Sequence, residues 1–291
     1  PAPVIKISSL WRRTTVAYQM DHARMRHLTE QREQEWQQVQ SYLAERGCKM
    51  NYLRTALDDP YPVPCGKCSS CLGYPLINVT PDSQLAHQAA MFLKQAEIVF
   101  KPRKQVAPSK ADTIRAFPVY QFPRLLGELT AEEGRVLSRW NDAGWGKTVA
   151  AGKHAGHFSD ELVQAMADMI RLRWQPNPFP TWICAVPSLR HPHLVPDFAS
   201  RLAEQLQLPF FNLVEKVKNN QPQKGQQNSF HQCRNLDGAF SVHQPVPDGP
   251  VLLIDDIVDS GWTLTVIAAL LRQHGCGPVY PAALASTSVH D

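Results

Sequence analysis

Two clusters of reactive side chains stand out in the 291-residue sequence. The first, at residues 251–263, reads VLLIDDIVDSGWT. Four apolar residues run into adjacent carboxylates, Asp255 and Asp256. A third carboxylate, Asp259, opens a Ser260-Gly261-Trp262-Thr263 turn that leads into an apolar helix. The apolar run reads as a buried strand ending at Ile254, and open α/β sheets bind ligands beyond the carboxyl ends of their strands. Adjacent carboxylates there accept hydrogen bonds from the two hydroxyls of a ribose. Backbone N–H groups at the following helix N-terminus, with the Ser260 and Thr263 hydroxyls, form a phosphate cradle. Gly261 lets the backbone approach closely. Hydroxyl acceptors beside phosphate donors are what a ribose 5-phosphate requires.

The second cluster is Cys48, Cys65, Cys68 and Cys71, spaced C-x16-C-x2-C-x2-C. Four thiolates fill the tetrahedral shell of a zinc ion and leave no open position, which makes such a site structural. An iron–sulfur cluster is the rival, since thiolates hold those too. Cys184, Cys233 and Cys276 are scattered and read as small buried hydrophobes. Four of seven cysteines at metal-ligand spacing favour a reducing compartment over a disulfide scaffold. His154, His157, His191 and His193 read as surface or hydrogen-bonded side chains.

A third motif, NDAGWGKT, ends like a nucleotide-binding P-loop at Gly146, Lys147 and Thr148. Its first position is Asn141 where the loop needs glycine, and no apolar strand is read before it. ATP hydrolysis by this chain is not expected.

The elements that must carry these residues follow from periodicity. Residues 8–46 read as helix, with Met25 and Leu28, then Trp36, Val39 and Leu43, at helical spacing. A helix is expected over DSQLAHQAAMFLKQ with Ser83 as N-cap, and a strand then a basic loop over IVFKPRKQVAP. Thr130 and Glu133 form a capping-box pattern opening another helix. SDELVQAMADMIRLRW is amphipathic, with Ser159 as N-cap and Leu162, Met166, Met169 and Ile170 as its stripe. TWICAVP, VLLIDDI and PVYPAALAS are buried strands separated by helices, which implies a parallel sheet covered on both faces. The fold expected is therefore α/β, in three parts. Residues 1–73 form a helical cysteine-rich subdomain. Residues 74–125 form a small basic module whose topology stays open, a winged helix being one that suits its charge. Residues 126–291 form the parallel-sheet domain.

Residues 1–125 carry 17 Lys/Arg against 10 Asp/Glu, and residues 126–291 carry 13 against 16. A basic half beside an acidic half points to a polyanion partner for the first. No apolar run reaches the roughly 18 residues that span a bilayer. The start lacks the apolar core of a signal peptide and an initiator Met, so a piece of a longer cytoplasmic protein is the expectation.

GCKMNYLRTALDDPYPVPCGKCSSC resembles the zinc-binding subdomain that follows the motor lobes of RecQ-family DNA helicases. The resemblance implies zinc on Cys48, Cys65, Cys68 and Cys71, and a helical platform packed on a helicase core near DNA. ATP would belong to motor lobes absent from this chain. VLLIDDIVDSGWT resembles the phosphoribosyl pyrophosphate motif of type I phosphoribosyltransferases. That implies Asp255 and Asp256 on ribose hydroxyls and residues 259–263 on the 5-phosphate. It also implies Asp259 where purine-salvage members have a general base, and Mg²⁺ as the ligand's companion. WICAVPSLRHPHLVPDFASRLAEQL resembles the pyrophosphate loop and helix of ComF-type transferases, with Ser188, Leu189 and Arg190 in the loop. KVKNNQPQKGQQNSFHQCRNLDGAF resembles their segment before the motif strand, with Lys216, Lys218, Gln223 and Arg234 as candidates to contact pyrophosphate or close over the site. Together the modules resemble the RqlH clade of RecQ-like helicases. The partners implied are DNA and the helicase core of the same protein, in a nucleoid-associated setting.

Overall fold

The computed structural model describes residues 3–7, 10–17, 20–61, 63–77, 79–106, 116–219 and 229–287. They fall into two compact units, Pro1–Pro81 and Asp82–Asp291.

The first unit opens with a hairpin of β1 (Val4–Ile7) and β2 (Leu10–Arg13), the second strand lying where helix was expected. The helix α1 starts only at His22 and runs to Ala44. The β-branched Val4, Ile5 and Ile7 explain the hairpin, and Asp21 explains the late helix start. The Asp21 side chain accepts from the Arg24 N–H at 2.9 Å, a capping bond at the first turn of α1. Helix α2 (Lys49–Ala56) follows, with Cys48 as its N-cap. The single turn α3 (Ser69–Leu72) has Cys68 in the same position. Lys49 Nζ donates to the carbonyls of Tyr42 and Leu43 at 2.6 and 3.0 Å, a cation on the last turn of α1. None of the described residues of this unit is buried. The expected stripe Met25, Leu28, Trp36, Val39 and Leu43 is exposed along its length.

The second unit is built on a five-stranded sheet ordered β3-β4-β9-β8-β5. Its strands are β3 (Ile98–Phe100), β4 (Gly134–Arg139), β5 (Trp182–Ala185), β8 (Val251–Val258) and β9 (Val279–Ser286). The last four run parallel, and β3 joins β4 antiparallel at the edge. A separate hairpin pairs β6 (Val214–Lys216) with β7 (Phe240–Val242). The helices are α4 (Ser83–Gln95), α5 (Gly146–Ala155), α6 (Asp160–Asp168), α7 (Leu194–Leu206), α8 (Ser229–Leu236) and α9 (Trp262–Gln273). Strand alternation divides the core in two. Val251, Leu253, Trp182 and Cys184 pack on the side of α9, and Leu252, Ile254, Ile183 and Ala185 on the side of α6 and α7. A mixed α/β architecture with a mostly parallel central sheet agrees with the expected class.

Several local expectations change. Thr130 and Glu133 open no helix, because β4 begins at Gly134. Val136 faces one core and Leu137 the other, so β4 shows no alternation to compete with the capping pattern. Asp82, not Ser83, caps α4, accepting from the Gln84 and Leu85 N–H groups. Ser159 precedes α6 as expected, with its hydroxyl unpaired, and Leu162, Met166, Met169 and Ile170 are all buried; the last turns, Met169–Trp174, widen to a π-helix. Residues 82–106 and 116–126 belong to the second unit and show no winged helix among the described residues. Strand β3 extends the sheet, and Val106, Phe117, Phe122 and Leu126 enter the α9-side core.

Candidate functional site

Strand β8 carries the two adjacent carboxylates, and it runs four residues past Ile254, to Val258. The strand does end at Ile254 with respect to β5, where Ala185 pairs with Ile254 and the Val186 N–H donates to the Ile254 carbonyl at 2.8 Å. Pairing with β9 continues, Asp255 opposite Ala283 and Val258 opposite Ser286. Asp255 and Asp256 thus stand on an open edge of a continuing strand, where alternation sends their side chains to opposite faces. This differs from two carboxylates reaching one sugar side by side.

Asp255 is 8% exposed, and its Oδ1 accepts from the Asp256 N–H at 2.8 Å. Burial first, then the neighbouring charge of Asp256, pushes its carboxyl up to about 8. Asp256 turns toward α5, where Lys153 Nζ donates to its Oδ2 at 2.7 Å. On the other face lies Lys216 of β6, whose ammonium is held below the ordinary lysine range by burial and then by Arg190, with Asp255 acting the other way. Arg190 belongs to the loop that leaves β5 at the same sheet edge, in which the His191 N–H donates to Ser188 Oγ at 3.3 Å. Next to this loop a cavity of about 370 Å³ is lined by Pro187, Ser188, Leu189, Asn212, Lys216 and His243, among others.

The turn 259–261 joins β8 to α9. Asp259 is exposed, Ser260 and Thr263 are half-buried, and Gly261 has φ +76° as the N-cap of α9. The first helical bond, Thr265 N–H to the Gly261 carbonyl at 3.0 Å, leaves the amides of residues 262–264 ahead of it facing the turn. Trp262 is 3% exposed, so its ring is packed into the core and does not stand in the turn.

The structure therefore gathers Asp255, Asp256, Lys216, Arg190 and the residue 259–263 turn around one sheet edge. Lys218 and Arg234 are exposed beyond it, and Gln223 lies outside the described residues. Lys153 was missed by sequence reasoning, because a lysine in an ordinary helix last turn carries no signal of its partner. Arg103, whose guanidinium meets the turn from the segment after β3, was read only as part of a basic loop.

The NDAGWGKT motif does follow a strand, β4, contrary to expectation. Its loop is filled from within. Asp142 Oδ1 accepts from the Gly144 and Gly146 N–H groups at 2.9 and 2.8 Å, and Oδ2 accepts from Arg139 N–H at 2.9 Å. A carboxylate of the chain itself stands where a P-loop would place a phosphate.

In the first unit the four sulfurs of Cys48, Cys65, Cys68 and Cys71 lie within 4.8 Å of one another. Cys48 to Cys68 is 3.9 Å and Cys65 to Cys71 is 4.0 Å. A zinc ion with sulfurs at 2.3 Å needs edges of about 3.8 Å, and a disulfide needs about 2 Å. N–H groups of Asn51 and Cys65 point at Cys48 Sγ, and those of Lys67 and Cys68 at Cys65 Sγ, at 3.2–3.4 Å. Such donors favour thiolate. The Cys71 N–H holds the Cys68 thiol down to about 6, while the Cys68 hydrogen bond pushes Cys71 up to about 11. The donor set and spacing fit a tetrahedral metal ion.

A comparison with protein families matches residues 197–287 to the phosphoribosyl transferase domain. This chain carries a phosphoribosyltransferase-type domain. The matched span runs from α7 to the end of β9, and so includes both carboxylates and the turn after them. It excludes Arg103, Lys153 and the loop at 188–190. Among solved structures, the purine phosphoribosyltransferase of Pyrococcus horikoshii Ot3 is 21% identical, covering 44% of this chain and 71% of that one, with a TM-score of 0.29. The orotate phosphoribosyltransferase of Aeropyrum pernix is 16% identical over 47% and 60%, with a TM-score of 0.28. The adenine phosphoribosyltransferase of Leishmania tarentolae is 16% identical over 44% and 72%, with a TM-score of 0.31. No curated protein matches the chain. No helix among the described residues is long and apolar enough to cross a membrane.

Proposed function

We propose that the second unit binds a ribose 5-phosphate group at the carboxyl end of β8, and that the ligand is phosphoribosyl pyrophosphate. The observation that carries this is the continuity of Asp255 and Asp256 with a Gly261-capped turn, ahead of first-turn amides of α9 that have no partner within the helix. The 5-phosphate is taken by the amides and hydroxyls of residues 259–263. Ribose hydroxyls meet Asp255, which burial keeps largely protonated near neutrality and therefore able to donate as well as accept. Asp256, on the opposite face, stays paired with Lys153 beside the turn. The pyrophosphate is met by Arg190, Ser188 and the backbone at Leu189, with Lys216 between loop and carboxylates. Mg²⁺ binds mostly through substrate phosphates, water and one or two carboxylates. Such an ion, held through the pyrophosphate and water, would offset pyrophosphate charge.

This reading is of a binding site. Turnover requires in addition that Asp259 act as base toward an acceptor, and its exposure beside the turn is the observation that favours a transferase. Calorimetry with phosphoribosyl pyrophosphate and Mg²⁺ tests the site. Micromolar to millimolar binding by the parent, lost in D255N/D256N, is expected; a parent that does not bind sinks the proposal. Release of pyrophosphate on adding nucleobases would establish turnover.

For the first unit we propose a structural zinc site on Cys48, Cys65, Cys68 and Cys71, in a module that contacts DNA beside a RecQ-type helicase motor. The sulfur spacing and the resemblance of its sequence support this, as does a modest excess of 10 Lys/Arg over 7 Asp/Glu in residues 1–81. Residues 82–125 hold 7 Lys/Arg against 3 Asp/Glu, so much of the basic excess lies in the second unit. Phosphate-driven DNA binding falls steeply with salt. A chain with no affinity for duplex or single-stranded DNA at low salt overturns the DNA part.

A further inference from the structure

The segment after β3 lies outside the span matched to the transferase domain, yet it is fastened to the turn at residues 259–261 by several contacts. A Cβ at Gly261 would come within 2.6 Å of the Phe100 ring. The Arg103 N–H donates to Thr265 Oγ1 at 3.3 Å, and that hydroxyl donates to the Gly261 carbonyl at 3.0 Å. Arg103 Nε and Nη2 both donate to the Ser260 carbonyl, at 3.3 and 3.2 Å. Its guanidinium lies over the Trp262 ring, 5.8 Å from the centroid.

The backbone that presents Arg103 is itself clamped. The Leu126 N–H donates to the Lys104 carbonyl at 3.0 Å and the Val106 N–H to the Arg124 carbonyl at 2.9 Å, with Gln105 bridged to Leu125. The side chain is exposed nonetheless. A guanidinium carries five N–H donors. Two serve Ser260, and the other three have no partner among the described residues. Lys101 and Lys104 stand exposed on either side in sequence. A fixed cation whose fork has spare donors, at the carbonyl that precedes the helix amides, is placed for an anion arriving at those amides.

Resting on the ribose-phosphate reading, we propose that Arg103 is an anion-binding residue of this site. It grips the Ser260 carbonyl with two N–H groups and offers its remaining N–H groups to the 5-phosphate. The phosphate site is thereby completed by an element about 155 residues upstream of the motif, and the basic stretch KPRK serves a sugar phosphate.

The test is calorimetry with ribose 5-phosphate on the full chain, its R103Q and R103K variants, and D255N. R103Q keeps an N–H donor for Ser260 and removes the charge; R103K keeps the charge. The parent is expected to bind, with affinity falling as salt rises from low to high. R103Q is expected to bind about 10-fold or more weakly, with a flatter salt dependence, while R103K, which keeps the charge but loses the fork, falls between R103Q and the parent. Inorganic phosphate, used as a second probe, should be weakened by R103Q and unaffected by D255N. If R103Q matches the parent for both probes, or if R103K falls as far as R103Q, Arg103 is a structural staple and the inference is wrong. If the parent itself fails to bind ribose 5-phosphate while remaining folded by circular dichroism, the ribose-phosphate reading falls and takes the inference with it.

Discussion

Lys153 Nζ lies 2.7 Å from Asp256 Oδ2, joining the last turn of α5 to the carboxyl end of β8. The carboxylate is only 14% exposed, so the pair sits between the surface and buried regimes. Removing the lysine leaves two neighbouring carboxylates with less compensation. K153M should therefore cost about 1–3 kcal/mol, between the values for exposed and buried pairs. Chemical denaturation monitoring the second unit measures it. K153M/D256L should recover most of the loss, and a single variant as stable as the parent would show the pair to be incidental.

The raised carboxyl of Asp255 makes stability depend on pH in a definite direction. Its folded value of about 8 stands above the ordinary 3.8, so the folded state holds a proton that the unfolded state has released. The contribution is fully present below about pH 4, declines as pH rises, and levels off above about 8. Between pH 5 and 8 the parent should lose stability relative to D255N, whose neutral amide does not titrate. Parallel denaturation midpoints for the two proteins across that range would contradict the assignment.

The first unit should depend on the proposed zinc for folding. No described residue of it is buried, so hydrophobic burial alone offers little to hold α1, α2 and the cysteine turn together. Atomic absorption should find about one zinc per chain. Chelation, or C68S, should remove it and open residues 1–81 to protease while the second unit keeps its melting transition. Zinc-free protein with an equally protected first unit would refute the structural role. Recovery of iron in its place would favour the cluster alternative.

What could be read from the sequence followed the strength of each local signal. The three buried parallel strands were legible because each is a short apolar run between helices, and Gly275 does follow α9 with φ +91°. The cysteines were legible from spacing, and the carboxylates from their position after an apolar run. Three features were hidden for separate physical reasons. Strand β4 buries residues on both faces, which removes its alternation. The hairpin at residues 4–13 is exposed on both sides, so no core pattern marks it. The contacts Lys153–Asp256 and Arg103–Ser260 span 103 and 157 residues and depend on tertiary placement alone. Trp262 faces inward, because position 262 opens α9 against the core.

Gly261 is the residue on which the turn most depends. Its φ of +76° lies in the left-handed region, and Phe100 leaves a Cβ no room at 2.6 Å. The backbone term alone is about 1–3 kcal/mol, and the ring must also move. G261A should therefore destabilise the second unit by about 2 kcal/mol or more and displace Phe100 and the adjoining Arg103. F100A relieves the steric part only, so G261A/F100A should recover some stability and none of the backbone term. Denaturation of the three variants separates the contributions. A G261A protein of parental stability would mean that the turn adopts another conformation in solution, and the proposed phosphate cradle with it.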